Sequence, residues 1–186
     1  MKTKNFLLTG ALLIVALFSV NGVMAKTPTN TDKVTVNIKF KPIQTIEVNE
    51  NEVEFLYDNI AKYENGAENQ IKKKHLKINS SGPFVVNVVS TDFAGGLSGK
   101  TIPLSDVAVQ VVNTTTERYT GAGITTSLPL SATKTPLFTS TGGGMNLEFD
   151  VTYSNPGGKN GKYLEGYLKG EEVTYTAQVT YEIIAN

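Results

Sequence analysis

The sequence predicts an all-β protein, an Ig-like antiparallel β-sandwich with about seven or eight strands. Three observations carry that prediction. Short stretches alternate apolar and polar residues with period two, as strands with one covered face must. Clusters of Gly, Pro, Asn and Ser separate them at short intervals. No stretch beyond the first 25 residues carries a sustained apolar stripe at helical spacing. A barrel is the alternative closure of the same strands.

Residues 1–25 have the features of a secretory signal peptide: Lys2 and Lys4, then an apolar run over residues 6–20, then the small residues of Val23-Met24-Ala25. Cleavage is expected before Lys26. The run is shorter than the roughly 20 residues that a spanning helix requires. Removing 25 of 186 residues leaves 161, enough for one domain with its own core. Residues 26–32, KTPTNTD, read as a flexible leader, and residues 33–186 as a single β-sandwich domain.

The first strand is expected over residues 32–41, DKVTVNIKFK. Val34, Val36, Ile38 and Phe40 share one face, and Thr35, Asn37, Lys39 and Lys41 share the other. Such a strand buries one face, either within its own domain or in the sheet of a neighbour. Pro42 removes a ladder donor, so a bulge or strand switch is expected before a shorter strand over residues 43–48.

Val53, Phe55 and Tyr57 alternate with polar Glu52 and Glu54 and predict another short strand. Residues 60–70 suit a helical turn at most. Residues 72–79 and 84–90 are predicted to form a hairpin about Ser80-Ser81-Gly82-Pro83. Further strands are expected over residues 107–112, weakly over 125–130 and 137–139, firmly over 147–153, and finally over 173–183.

Composition excludes several chemistries. The chain has no Cys, which removes disulfides and thiolates, and a single His. It lacks a basic stripe, which argues against a nucleic-acid partner. His75 is predicted to face solvent from a strand rich in lysine, without a nucleophile nearby. Glu148 and Asp150 share a polar strand face, where exposed acids are expected without any glycosidase role. Glu47, Glu50, Glu52, Glu54 and Asp58 form an acidic patch whose spacing matches no calcium loop. The run from Ala94 to Thr101 ends in Gly-Lys-Thr, but it has Ala94 where a phosphate loop places its first glycine. No cofactor, metal or catalytic residue is assigned, and an enzyme is not expected. Tyr163 and Tyr167, in or beside a glycine-rich loop, are the candidate contacts for a glycan or protein ligand.

The leader, the alternating strand behind it, the segment KHLKINSSGPFVVNVVS and the closing EEVTYTAQVTYEI together resemble bacterial fimbrial subunits. The resemblance is to the archaic, spore-coat-U-like pilins of chaperone-usher systems and related surface β-sandwiches. It implies a structural subunit of an exported fibre, passing through the periplasm to the cell surface. The implied partners are copies of itself or other subunits, an assembly chaperone, and a host glycan or protein. It also implies that residues 33–41 act as a donor strand, with Val34, Val36, Ile38 and Phe40 filling a groove in the next subunit. Burying those four side chains would contribute on the order of 1.5–3 kcal/mol each. A monomeric exported binding module is the alternative function.

Overall fold

The computed structural model describes residues 31–112, 118–164 and 170–186. The expected signal peptide, residues 26–30 of the leader, and Tyr167 lie outside the described residues. The chain divides after Lys39 into two units, the second spanning residues 40–186. Among the described residues, no helix is long and apolar enough to cross a membrane.

The second unit is an all-β sandwich-like fold of antiparallel sheets. Its strands are β1 (Gln44–Val48), β2 (Gln70–Ser80), β3 (Phe84–Ser90), β4 (Ala94–Gly95), β5 (Ala108–Val112), β6 (Tyr119–Thr120), β7 (Leu128–Pro129), β8 (Thr135–Ser140), β9 (Gly144–Ser154), β10 (Tyr175–Thr176) and β11 (Val179–Ala185). Seven of them have five or more residues, in line with the expected number; the other four are two-residue bridges. The helical pieces are short: α1 (Ile60–Asn65), α2 (Ala122–Thr125) and a 3-10 turn at Leu104–Asp106. Asn59 caps α1 by accepting from the Lys62 amide, and Gly66 ends it at φ 89°.

Sheet one has the order β1-β2-β9-β5-β7 and sheet two the order β11-β3-β8-β6, while β10 pairs with β4 separately. The inward faces meet in one core. Sheet one contributes Leu76, Ile78, Val109, Val111, Phe149, Val151 and Tyr153; sheet two contributes Phe84, Val86, Val88, Leu137, Phe138 and Tyr181. The rings of Phe138 and Phe149 meet across the sheets at 4.8 Å. Burying each large apolar side chain contributes about 1.5–3 kcal/mol, so this interface is the main source of stability.

The expected hairpin is not one. β2 pairs with β1 and β9, whereas β3 pairs with β8 and β11. The Ser80-Ser81-Gly82-Pro83 link therefore carries the chain from sheet one to sheet two as an arch. Both strands supply core residues, and placing them in facing sheets buries those residues against each other. The Ser80 hydroxyl donates to the Gly82 carbonyl at 2.8 Å, and the Ser140 hydroxyl donates to Gly142 at 2.7 Å in the arch that returns β8 to β9. The two arches touch. A Cβ on Gly143 would sit 2.3 Å from the Ser80 carbonyl oxygen, so glycine is required there.

Two further expectations are corrected. Residues 51–58 form no strand, although Val53, Phe55 and Tyr57 are half-buried and Glu52, Glu54 and Leu56 are exposed, as their alternation implied. The predicted closing strand is divided into β10 and β11, because β10 leaves to pair with β4. Tyr175, Ala177, Val179 and Tyr181 still lie inward of Thr176, Gln178 and Thr180 across the break.

Candidate functional site

Residues 31–43 carry no regular secondary structure, so the predicted first strand does not form in the isolated chain. Val34, Val36, Ile38 and Phe40 are 87%, 79%, 74% and 90% exposed. The expectation that their shared face is buried is overturned for the single chain. Alternation gives a segment an apolar face, but a strand also needs a ladder partner.

The two sides of the sandwich end differently. On one side the outermost strands, β6 and β7, have two residues each, and α2 connects them while packing on β5 and β8. Short edges covered in this way offer little backbone for pairing. On the other side the outermost strands are β1, with five residues, and β11, with seven. They lie next to each other, one at the edge of each sheet. In an antiparallel edge strand, alternate N–H and C=O groups point away from the sheet. Half-buried Ile46, Val179 and Ile183 line this margin against the core, while Val48 and Ile184 are exposed. Residues 34–40 match β11 in length at seven residues, about 23 Å of extended chain.

His75 is 2% exposed, contrary to the solvent-facing position expected for it. A bulge is responsible. The β2–β9 register passes from Lys72 opposite Val151 to Leu76 opposite Phe149, so β2 has two extra residues there. Lys74 takes a positive φ of 50°. The Asp150 carboxylate fixes the bulge, accepting from the Lys74 amide at 2.7 Å and from Lys73 Nζ at 2.8 Å. His75 and Leu76 consequently both turn inward. His75 Nε2 lies 2.8 Å from the Tyr153 hydroxyl, which lies 2.6 Å from the Tyr181 hydroxyl. Burial holds the imidazole below its usual pKa, raises Tyr153 to about 12, and raises Tyr181 well above the usual phenol value.

Tyr163 is 5% exposed and is not a surface platform. Its hydroxyl donates to Asp106 Oδ2 at 2.7 Å, and its ring meets Tyr57 edge-on at 5.4 Å. Lys162 Nζ approaches the same carboxylate at 2.7 and 2.5 Å, and Tyr57 donates to the Gly158 carbonyl at 3.1 Å. Burial, then Asp106, push the Tyr163 phenol far above its ordinary pKa, so it remains a proton donor. The group clasps residues 155–164 onto the 3-10 turn. Asp106 escaped the sequence reading because a lone Asp in a turn carries no pattern.

Glu50, Glu52 and Glu54 from the acidic patch, with Asn51, Gln70 and Lys72, line a surface depression of about 370 Å³. Lys72 pairs with Glu50 at 3.0 Å, Lys77 with Glu47 at 3.8 Å, and Lys62 with Asp58 at 2.9 Å. Among the described residues, no three acidic or imidazole groups are placed to hold a metal ion. Glu148 pairs with Lys74 at 2.9 Å, so both acids of the Glu148/Asp150 pair are engaged by the lysines of the bulge.

No protein-family model matches the chain, and a search of curated proteins finds no match.

Proposed function

We propose that this protein is a structural subunit of an exported surface fibre, assembled by β-strand complementation. Residues 33–41 act as the donor strand, and the β1–β11 side of another copy acts as the acceptor. The carrying observation is the exposure of Val34, Val36, Ile38 and Phe40 on an unpaired, strictly alternating segment. The long open edges of β1 and β11 add support, because they offer backbone on the side that β6 and β7 do not. Seating the segment there would supply both missing elements: ladder hydrogen bonds for its backbone and cover for its apolar face.

Export by the signal peptide, transit through a periplasm and help from an assembly chaperone belong to the same proposal. A chaperone has a physical reason to exist here, since a chain exposing such a stripe is prone to non-specific association. The test is gel electrophoresis of native surface material in detergent, with and without boiling. Strand-complemented fibres give a ladder of multiples that boiling collapses to one band. A single band under both conditions would overturn the proposal and favour a monomeric binding module.

A further inference from the structure

His75 stands between the two open edge strands. On one side, its carbonyl accepts from the amide of Asn49, the residue directly after β1, at 2.8 Å. The Asn49 side-chain amide also donates to the neighbouring Lys74 carbonyl at 2.7 Å. On the other side, its ring reaches β11 through the Tyr153 and Tyr181 hydroxyls. This hydrogen-bonded chain crosses from sheet one to sheet two inside the core and ends on an edge strand.

Nδ1 of the buried ring has no hydrogen-bond partner. The hydrogen bond between Nε2 and the Tyr153 hydroxyl can run in either direction, according to which ring nitrogen carries the neutral ring's proton. A second proton puts an N–H on both ring nitrogens, and Nδ1 then needs an acceptor that the tyrosine side does not supply. The surroundings divide over that charge. Burial opposes it most strongly and Lys72 also opposes it, whereas the Asn49 backbone and Glu50 favour it. Lys72 and Glu50 are paired with each other, and Lys73 and Lys74 are held by Asp150 and Glu148. From β9 and β11 the groups facing the ring are the phenols of Tyr153 and Tyr181. The attraction toward the cation thus comes from the β1 side, away from the tyrosines.

We infer that His75 makes the β1–β11 side acid-sensitive: protonation turns its ring from Tyr153 toward Asn49, uncouples β11 from sheet one, and hastens release of a strand seated there. The release step rests on the proposed acceptor role of that side; the loosening of β11 does not.

Two measurements on the full chain separate these. Amide hydrogen exchange, corrected for its intrinsic pH dependence, reads β11 at about pH 7.5 and about pH 5, either side of the ordinary imidazole pKa. The expected result is about a tenfold loss of β11 protection at the lower pH, and less than about twofold in His75→Gln. Should His75→Gln fail to fold, Tyr181→Phe serves: it cuts the β11 end of the bridge, so protection is already low at pH 7.5 and insensitive to acid. Equal β11 protection at both pH values in the unaltered chain overturns the inference. The second measurement is the release rate of a fluorescent peptide of residues 33–41 bound to the full chain, expected to rise on acidification in parallel with exchange. A peptide that binds and leaves equally slowly at both pH values overturns the release step. A peptide that never binds at pH 7.5 overturns the acceptor role itself.

Discussion

The hydroxyls of Tyr153 and Tyr181 lie 2.6 Å apart and join sheet one to sheet two by a hydrogen bond inside the core. Neither phenol lies at the surface, and His75 completes the chain on the far side of Tyr153. Facing sheets are usually held by apolar contact alone, which specifies burial but little direction. A polar bridge adds direction, because each member is satisfied only when both sheets are in place.

Tyr153→Phe should therefore cost more than Tyr181→Phe. The first leaves His75 Nε2 and the Tyr181 hydroxyl both without their partner, for about 2–4 kcal/mol; the second leaves one hydroxyl bond unmade, for about 1–2 kcal/mol. Urea unfolding of both variants beside the unaltered chain checks the order. Equal losses would mean that the imidazole does not depend on Tyr153.

Alkali should act through the same residues. Tyr153 has its folded pKa raised to about 12 from 10.0, so the folded state keeps a proton that the unfolded state releases. Its contribution to stability is full below pH 10 and is lost as pH rises from 10 toward 12. Tyr163 and Tyr181 shift in the same direction. An ultraviolet phenolate titration of the eight tyrosines should show one group ionising near the ordinary value and a second ionising only as the fold is lost. A single transition with the fold intact would contradict the burial of these rings.

Tyr163→Phe should remove the hydroxyl donor from Asp106 and cost about 1–2 kcal/mol, with the loss concentrated in residues 155–164. Hydrogen exchange localises it. Lys162 still faces the Asp106 carboxylate at 2.5 Å, so the clasp should weaken without opening fully. Removal of both partners, in Lys162→Met with Tyr163→Phe, should leave a buried carboxylate unpaired and cost more than the two single changes together.

Ile38→Asp should leave the isolated chain's stability within about 0.5 kcal/mol, because the side chain is 74% exposed. If the proposed complementation holds, the same change should abolish the detergent-resistant ladder, since a carboxylate would have to seat against the apolar side chains of the β1–β11 margin. A large loss of monomer stability would instead place the segment in its own domain's core.

Gly143→Ala should destabilise by about 1–3 kcal/mol or more, because its Cβ would meet the Ser80 backbone at the crossing of the two arches. Gly82→Ala, where a Cβ meets nothing within 4 Å, is the matched control and should be mild. Thermal unfolding of the pair separates them.

The residue pattern alone determined the all-β class and the inward residues of β3, β5, β9 and β11, because period two is a local property of an extended backbone. It also marked the stripe of Val34, Val36, Ile38 and Phe40, although alternation cannot say which surface covers a stripe. Tertiary structure decided the rest. The Ser80–Pro83 link became an arch rather than a hairpin because β2 takes its ladder partners from β1 and β9 and β3 from β8 and β11, pairings that no local pattern announces. His75 turned inward because Asp150, distant in sequence, stabilises two extra residues in β2; an even insertion keeps Leu76 and Ile78 on the core face and folds His75 in beside them. Asp106 and Tyr163 met only through packing of a loop against a turn. The strand over residues 33–41 did not form because pairing is a relation between two segments, and its own sequence supplies only one of them.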